Sequence, residues 1–86
     1  MSDLLTGAVC LIIEVWVTSH AYDRSKLNAY AQDRVKEVWL LLVPEKQIEV
    51  HREPDGEQFK VRIIYGPGGR VTSAALPQFE VDFKIP

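Results

Sequence analysis

An 86-residue chain has room for one domain and not for two. Its composition, 47% apolar and 26% charged with no biased tract, excludes a disordered chain, while its shortness leaves a thin stability margin. The formal net charge of −2 comes from 10 basic and 12 acidic residues interleaved along the chain, which disfavours tight DNA binding by this chain alone. The single cysteine, Cys10, rules out an intrachain disulfide and fits a reducing compartment, so a cytoplasmic location is expected. The apolar stretch from Leu4 to Val17 has no positive leader, is interrupted by Glu14 and is too short to span a bilayer, so no membrane association is expected.

Val9-Cys10-Leu11-Ile12-Ile13-Glu14-Val15-Trp16-Val17 is a continuous β-branched and aromatic run, the pattern of a strand buried on both faces. Thr18-Ser19-His20 offers an N-cap. Tyr22, Leu27, Tyr30, Ala31, Arg34 and Val35 then recur at helical spacing, with Asp23 near the first turn and Arg34 and Lys36 near the last. Glu37 to Val43 is a second buried run, stopped by Pro44. Strand, helix, strand in this order predicts a βαβ unit with parallel strands.

Beyond it the period becomes two. Ile48 and Val50 alternate with Gln47, Glu49 and His51; Phe59, Val61 and Ile63 alternate with Lys60, Arg62 and Ile64; Pro54-Asp55-Gly56 marks the turn between them. This predicts an antiparallel hairpin with one wetter face, on which His51 is a surface residue. Gly66-Pro67-Gly68-Gly69 is a further turn, not a phosphate loop, because no lysine-bearing helix follows. Val71-Thr72 predicts a short strand, and Phe79, Val81 and Phe83, alternating with Glu80, Asp82 and Lys84, a last one. The expected fold is α/β (α+β), a βαβ core with one main helix followed by an antiparallel hairpin and meander, forming a single domain over 1–86.

Glu14 is the anomaly. A carboxylate inside a two-face-buried strand costs several kcal/mol unless it is paired, protonated or bound to a cation. One reading makes it a metal ligand or acid–base group near the carboxyl end of a parallel strand; the other makes it a partly wet acid paired with Lys26 or an arginine. Lys26, on the helix that follows, is the natural partner and is placed to stabilise charge on a phosphate. Tyr22 and Tyr30 flank it at i−4 and i+4 and read as packing residues. Cys10 lies on the same strand face as Glu14 and reads as a small buried apolar group. His20 and His51 show no metal-ligand spacing.

The ordered set Leu11-Ile12-Ile13-Glu14-Val15, Ala21-Tyr22-Asp23-Arg24-Ser25-Lys26-Leu27, Tyr30 and Val35-Lys36-Glu37-Val38-Trp39-Leu40 resembles a bacterial restriction endonuclease family, expanded in cyanobacteria, of the PD-(D/E)XK nuclease superfamily. The closing Ala75-Leu76-Pro77-Gln78-Phe79-Glu80-Val81-Asp82 is similar to that family's ending. The resemblance covers nearly everything from Val9 onward and matches the C-terminal half of the nuclease-like domain. It implies that Glu14 is a ligand of a catalytic Mg²⁺ or Mn²⁺ and a catalytic residue, that Lys26 is the accompanying catalytic lysine, and that DNA is the substrate.

The chain also departs from the family pattern. Val9 and Cys10 stand where related chains carry Pro-Asp, Val17-Thr18-Ser19 replaces a Ser-Pro-Ser loop, and Arg34 and Val38 replace the glycine and tyrosine that open the second strand. No counterpart of the upstream family aspartate is present, and one carboxylate holds Mg²⁺ poorly. The expectation is therefore a truncated, inactive relative that forms a homo-oligomer or binds a related chain. The alternatives are a composite site completed by a dimer or partner chain, and a non-catalytic interaction module.

Overall fold

The β-branched runs on either side of the helical stripe do pair as parallel strands. In the computed structural model, whose described residues are 10–18 and 25–83, the elements in chain order are β1 (Leu11–Trp16), α1 (Ser25–Gln32), β2 (Glu37–Leu42), β3 (Gln47–Asp55), β4 (Gln58–Tyr65), β5 (Arg70–Thr72) and β6 (Glu80–Asp82). A mixed sheet runs β1-β2-β3-β4, and β5 and β6 form a separate antiparallel pair. The class is α+β, as the pattern predicts.

β2 is the strand buried on both faces, and its side chains divide the core in two. Val38, Leu40 and Leu42 join Val35 on one face, with Ile12, Trp16, Leu27, Tyr30 and Phe59 packed around them beneath α1. Trp39 joins Ile48, Val50 and Val71 on the other, closed by β5 and by Phe83. An exposed pair of contacts, Arg70 to Asp82 at 2.8 Å and to Glu80 at 3.5 Å, spans the small sheet and adds little stability there.

β1 corrects the expectation of a strand buried on both faces. Among the described residues it is the outermost strand, with β2 as its one neighbour in the sheet, and its burial alternates. Ile12 and Trp16 pack under α1, whereas Ile13 and Val15 lie on the opposite face, 42% and 58% exposed. An unbroken apolar run carries no record of whether both faces are covered.

α1 ends at Gln32 with a left-handed closure. Arg34 has φ 61, its N–H donates to the Ala31 carbonyl at 3.0 Å, and the Val35 N–H reaches back to the Tyr30 carbonyl at 3.0 Å. This is a Schellman motif with Arg34 at the position that favours glycine. Arg34 and Lys36 thus lie beyond the helix rather than in its last turn, which holds no basic residue. The proposed cap at Ser19-His20, together with Tyr22 and Asp23, lies outside the described residues.

β3 and β4 form the predicted hairpin, with Gly56 at φ +65 in its turn. The wetter face is a misreading for β3. That strand lies inside the sheet with α1 over it, so Glu49 and His51 are buried at 2% and 7% exposure. Period-two alternation reports which residues share a face, not whether water reaches that face.

Candidate functional site

Glu14 is half-buried on the helix side of β1, in register with Leu40 of β2. Its Oε1 accepts a hydrogen bond of 2.9 Å from the Trp16 indole, two residues along the same strand face. Its Oε2 accepts one from the Tyr30 hydroxyl, brought over the sheet by α1. Burial by itself would push this carboxyl up, but the Tyr30 and Trp16 donors and the charge of Lys26 outweigh it, and the net direction is down. The same bond holds the Tyr30 phenol up at about 12, with burial and the Glu14 charge adding to the effect, so it stays protonated and donates throughout the neutral range. Glu14 is therefore a clamped carboxylate.

Lys26 is exposed on α1, and no ion pair joins it to Glu14 among the described residues. It acts through its field, as the least of the influences on Glu14. The expected direct pairing is thus replaced by Tyr30, one helical turn further along the same side of α1. Its reading as a packing residue was incomplete: the ring belongs to the helix-side core while the hydroxyl serves Glu14. The available signal was the i+4 spacing from Lys26, which puts a phenol on the side of α1 facing the strand acid. Cys10 is half-buried just before β1, and His20 lies outside the described residues.

Two further acids, unremarked in the sequence pattern, sit deeper than Glu14. Glu37 opens β2 and is fully buried on the face opposite α1. It accepts from the Ser73 hydroxyl at 2.5 Å, the Arg52 guanidinium at 2.9 Å, the Trp39 indole at 3.1 Å, and the backbone N–H groups of Ala75 at 3.1 Å and Ala74 at 3.3 Å. Burial drives its pKa up, yet Ser73, Ala75, Trp39 and Arg52 hold it down at about 2. Glu49 on β3 contacts His51 Nε2 at 3.1 Å through one oxygen and accepts from Arg62 at 3.3 Å through the other. His51 also faces the Phe59 ring, with centroids 6.0 Å apart. Contrary to the surface role expected of it, His51 is a buried partner of Glu49 and lines a cavity of about 410 Å³ with Leu27, Asn28, Phe59 and Arg62.

The register decides whether these acids can act together. Glu14 is paired with Leu40, and Leu40 with Glu49, so one whole strand separates the two helix-side carboxylates. Two strand spacings put their backbones roughly 10 Å apart. Glu37 faces the other side. Among the described residues no group of three or more His, Cys, Asp and Glu is gathered in a way that suits a metal ion. A divalent cation of the kind restriction-endonuclease families generally use demands several oxygen ligands at close range, and Glu14 offers one carboxylate with both oxygens already accepting. The described residues do not fit that ion.

A helix laid over a mixed sheet, with one clamped acid on its parallel outer strand, is an α+β scaffold with no assembled cation site among the described residues. Residues 2–84 match the family model Uma2, described as putative restriction endonuclease, and the chain belongs to that family. Membership places its function as nuclease-like at the level of the family. No curated protein and no solved structure matches the chain. Among the described residues no helix is long and apolar enough to cross a membrane.

Proposed function

We propose that this chain alone is a catalytically silent member of its nuclease-like family, related to the metal-dependent DNA phosphodiester hydrolases of the PD-(D/E)XK superfamily. Glu14 and Lys26 are the surviving part of the catalytic arrangement. The observation that carries this reading is the closed coordination of Glu14: Trp16 and Tyr30 take its two oxygens, and the nearest acid in register, Glu49, stands behind Leu40. Cys10, immediately before β1, stands where related chains carry the aspartate of a Pro-Asp pair. The chain is read as one cytoplasmic domain that self-associates and binds DNA weakly by itself.

Incubation of supercoiled plasmid with the purified protein and Mg²⁺ or Mn²⁺ tests the proposal, and the expected result is intact plasmid. Cleavage that disappears in Glu14→Gln would overturn it and make Glu14 catalytic. A second reading, a composite site completed by another chain, is favoured by the exposure of Lys26, which leaves its amine accessible. It predicts cleavage that rises steeply with protein concentration or appears only on mixing with a partner.

A further inference from the structure

α1 packs over β3 and β4, and the seam between helix and hairpin opens into two cavities that share one lining residue, Glu57. The first, of about 410 Å³, has an apolar side made by Leu27 and the half-buried ring of Phe59. Its polar side is made by Asn28, His51 and Arg62. Glu49 fixes two of these groups, contacting His51 Nε2 at 3.1 Å and accepting from Arg62 at 3.3 Å. Paired with Arg62, that carboxylate adds no net charge to the wall. Such a lining suits a flat, uncharged heterocycle that lies against a ring and exchanges hydrogen bonds with a planar amide and a guanidinium.

The second cavity, of about 630 Å³, continues along the same side of α1. Its Ala31 and Gln32 follow Leu27 and Asn28 by one helical turn, roughly 6 Å. Arg34 and Lys36 line it and are exposed, and among the described residues no ion pair engages either. Asp55 stands with them, so this end carries one net positive charge.

We infer that the seam binds a purine nucleoside monophosphate. The base lies against Phe59 with Asn28 and Arg62 at its edge, the ribose hydroxyls donate to Glu57, and the phosphate meets Arg34 and Lys36. The order of the groups carries the inference: heterocycle site, carboxylate acceptor and cations follow one another as base, sugar and phosphate do. A side-chain amide meets the N6 and N7 edge of adenine with two hydrogen bonds, and a carboxylate is a natural acceptor for ribose hydroxyls. One net positive charge suits a monophosphate better than a di- or triphosphate. Glu14 and Lys26 line neither cavity, so the inference is independent of the silent nuclease reading.

Titration of the full chain with AMP, followed by amide NMR, should give saturable shifts at the Asn28 side chain and at the Gly56 and Glu57 backbone. Adenosine should bind about tenfold more weakly, for want of the charged phosphate contact. Arg34, Lys36 and Glu57 are exposed, so their substitution leaves the fold standing. Arg34→Gly combined with Lys36→Gln should abolish the advantage of AMP over adenosine. Glu57→Ala should abolish the preference for AMP over its deoxyribose analogue and keep the phosphate advantage. Inorganic phosphate binding as tightly as AMP would reduce the site to an anion contact and overturn the assignment. So would an AMP–adenosine difference that survives the loss of both cations, or AMP shifts absent from the seam.

Discussion

Arg34 adopts φ 61, a left-handed conformation in which a Cβ collides with the following carbonyl. Its backbone closes α1, so the strain is held in place by the hydrogen bonds around it. Replacement by glycine removes the clash at the C′ position, and Arg34→Gly should stabilise the fold by about 1 kcal/mol, measured as a higher urea midpoint at unchanged slope. The resemblance to chains with a glycine there made the departure visible, but only the backbone showed what it costs. Tyr30 is the second residue whose substitution is decisive. Tyr30→Phe keeps the ring in the core and deletes the donor to Glu14, so the Glu14 carboxyl should titrate at higher pH than in the wild type, followed by carboxyl NMR. The stability loss should be about 1 kcal/mol for the lost charge-assisted bond at a half-buried site. A midpoint unchanged in the phenylalanine variant would mean that Trp16 and Lys26 alone set the Glu14 charge.

Among the elements, what the sequence made legible were those whose pattern is local. The parallel pair β1–β2, the hairpin β3–β4 and the Gly66–Gly69 turn follow from apolar runs and turn residues, and all three stand in the structure. Burial was less legible because it belongs to the neighbours an element acquires. β1 reads as buried on both faces and is outermost among the described strands; β3 reads as half wet and is covered. For the same reason Glu14 stands out as an acid among apolar residues, whereas Glu37, at the start of a buried run, draws no notice as an acid, and Glu49 is assigned to the wetter face of an alternating strand. The β3–β4 turn gives a test at this scale. Gly56 has φ +65 with no atom near a prospective Cβ, so the cost of Gly56→Ala is backbone strain alone. It should destabilise the hairpin by about 1 kcal/mol, visible as faster amide exchange across β3 and β4.

For the whole molecule, the joint that matters is Glu37. Its carboxylate gathers donors from β2 itself, from β3 through Arg52, and from Ser73, Ala74 and Ala75 just past β5, so it fastens the small sheet to the large one. Arg52 reinforces the joint by also donating to the Thr72 carbonyl at 2.6 Å. A folded pKa of about 2 lies below the usual 4.5, so the unfolded chain binds this proton more readily than the native one. The stability Glu37 contributes is therefore present above about pH 4.5 and is lost as the pH falls toward 2. The gap corresponds to roughly 3 kcal/mol, a large share of what a small domain has. Acid unfolding followed by tryptophan fluorescence should show this limb, since the Trp39 indole is itself one of the donors. Glu37→Gln leaves Arg52 without a charged partner and turns an amide donor toward others, so it should cost about 3 kcal/mol at neutral pH and flatten the acid limb. A glutamine variant that keeps the wild-type dependence between pH 4.5 and 2 would assign the acid sensitivity to other carboxylates and reduce Glu37 to a packing residue.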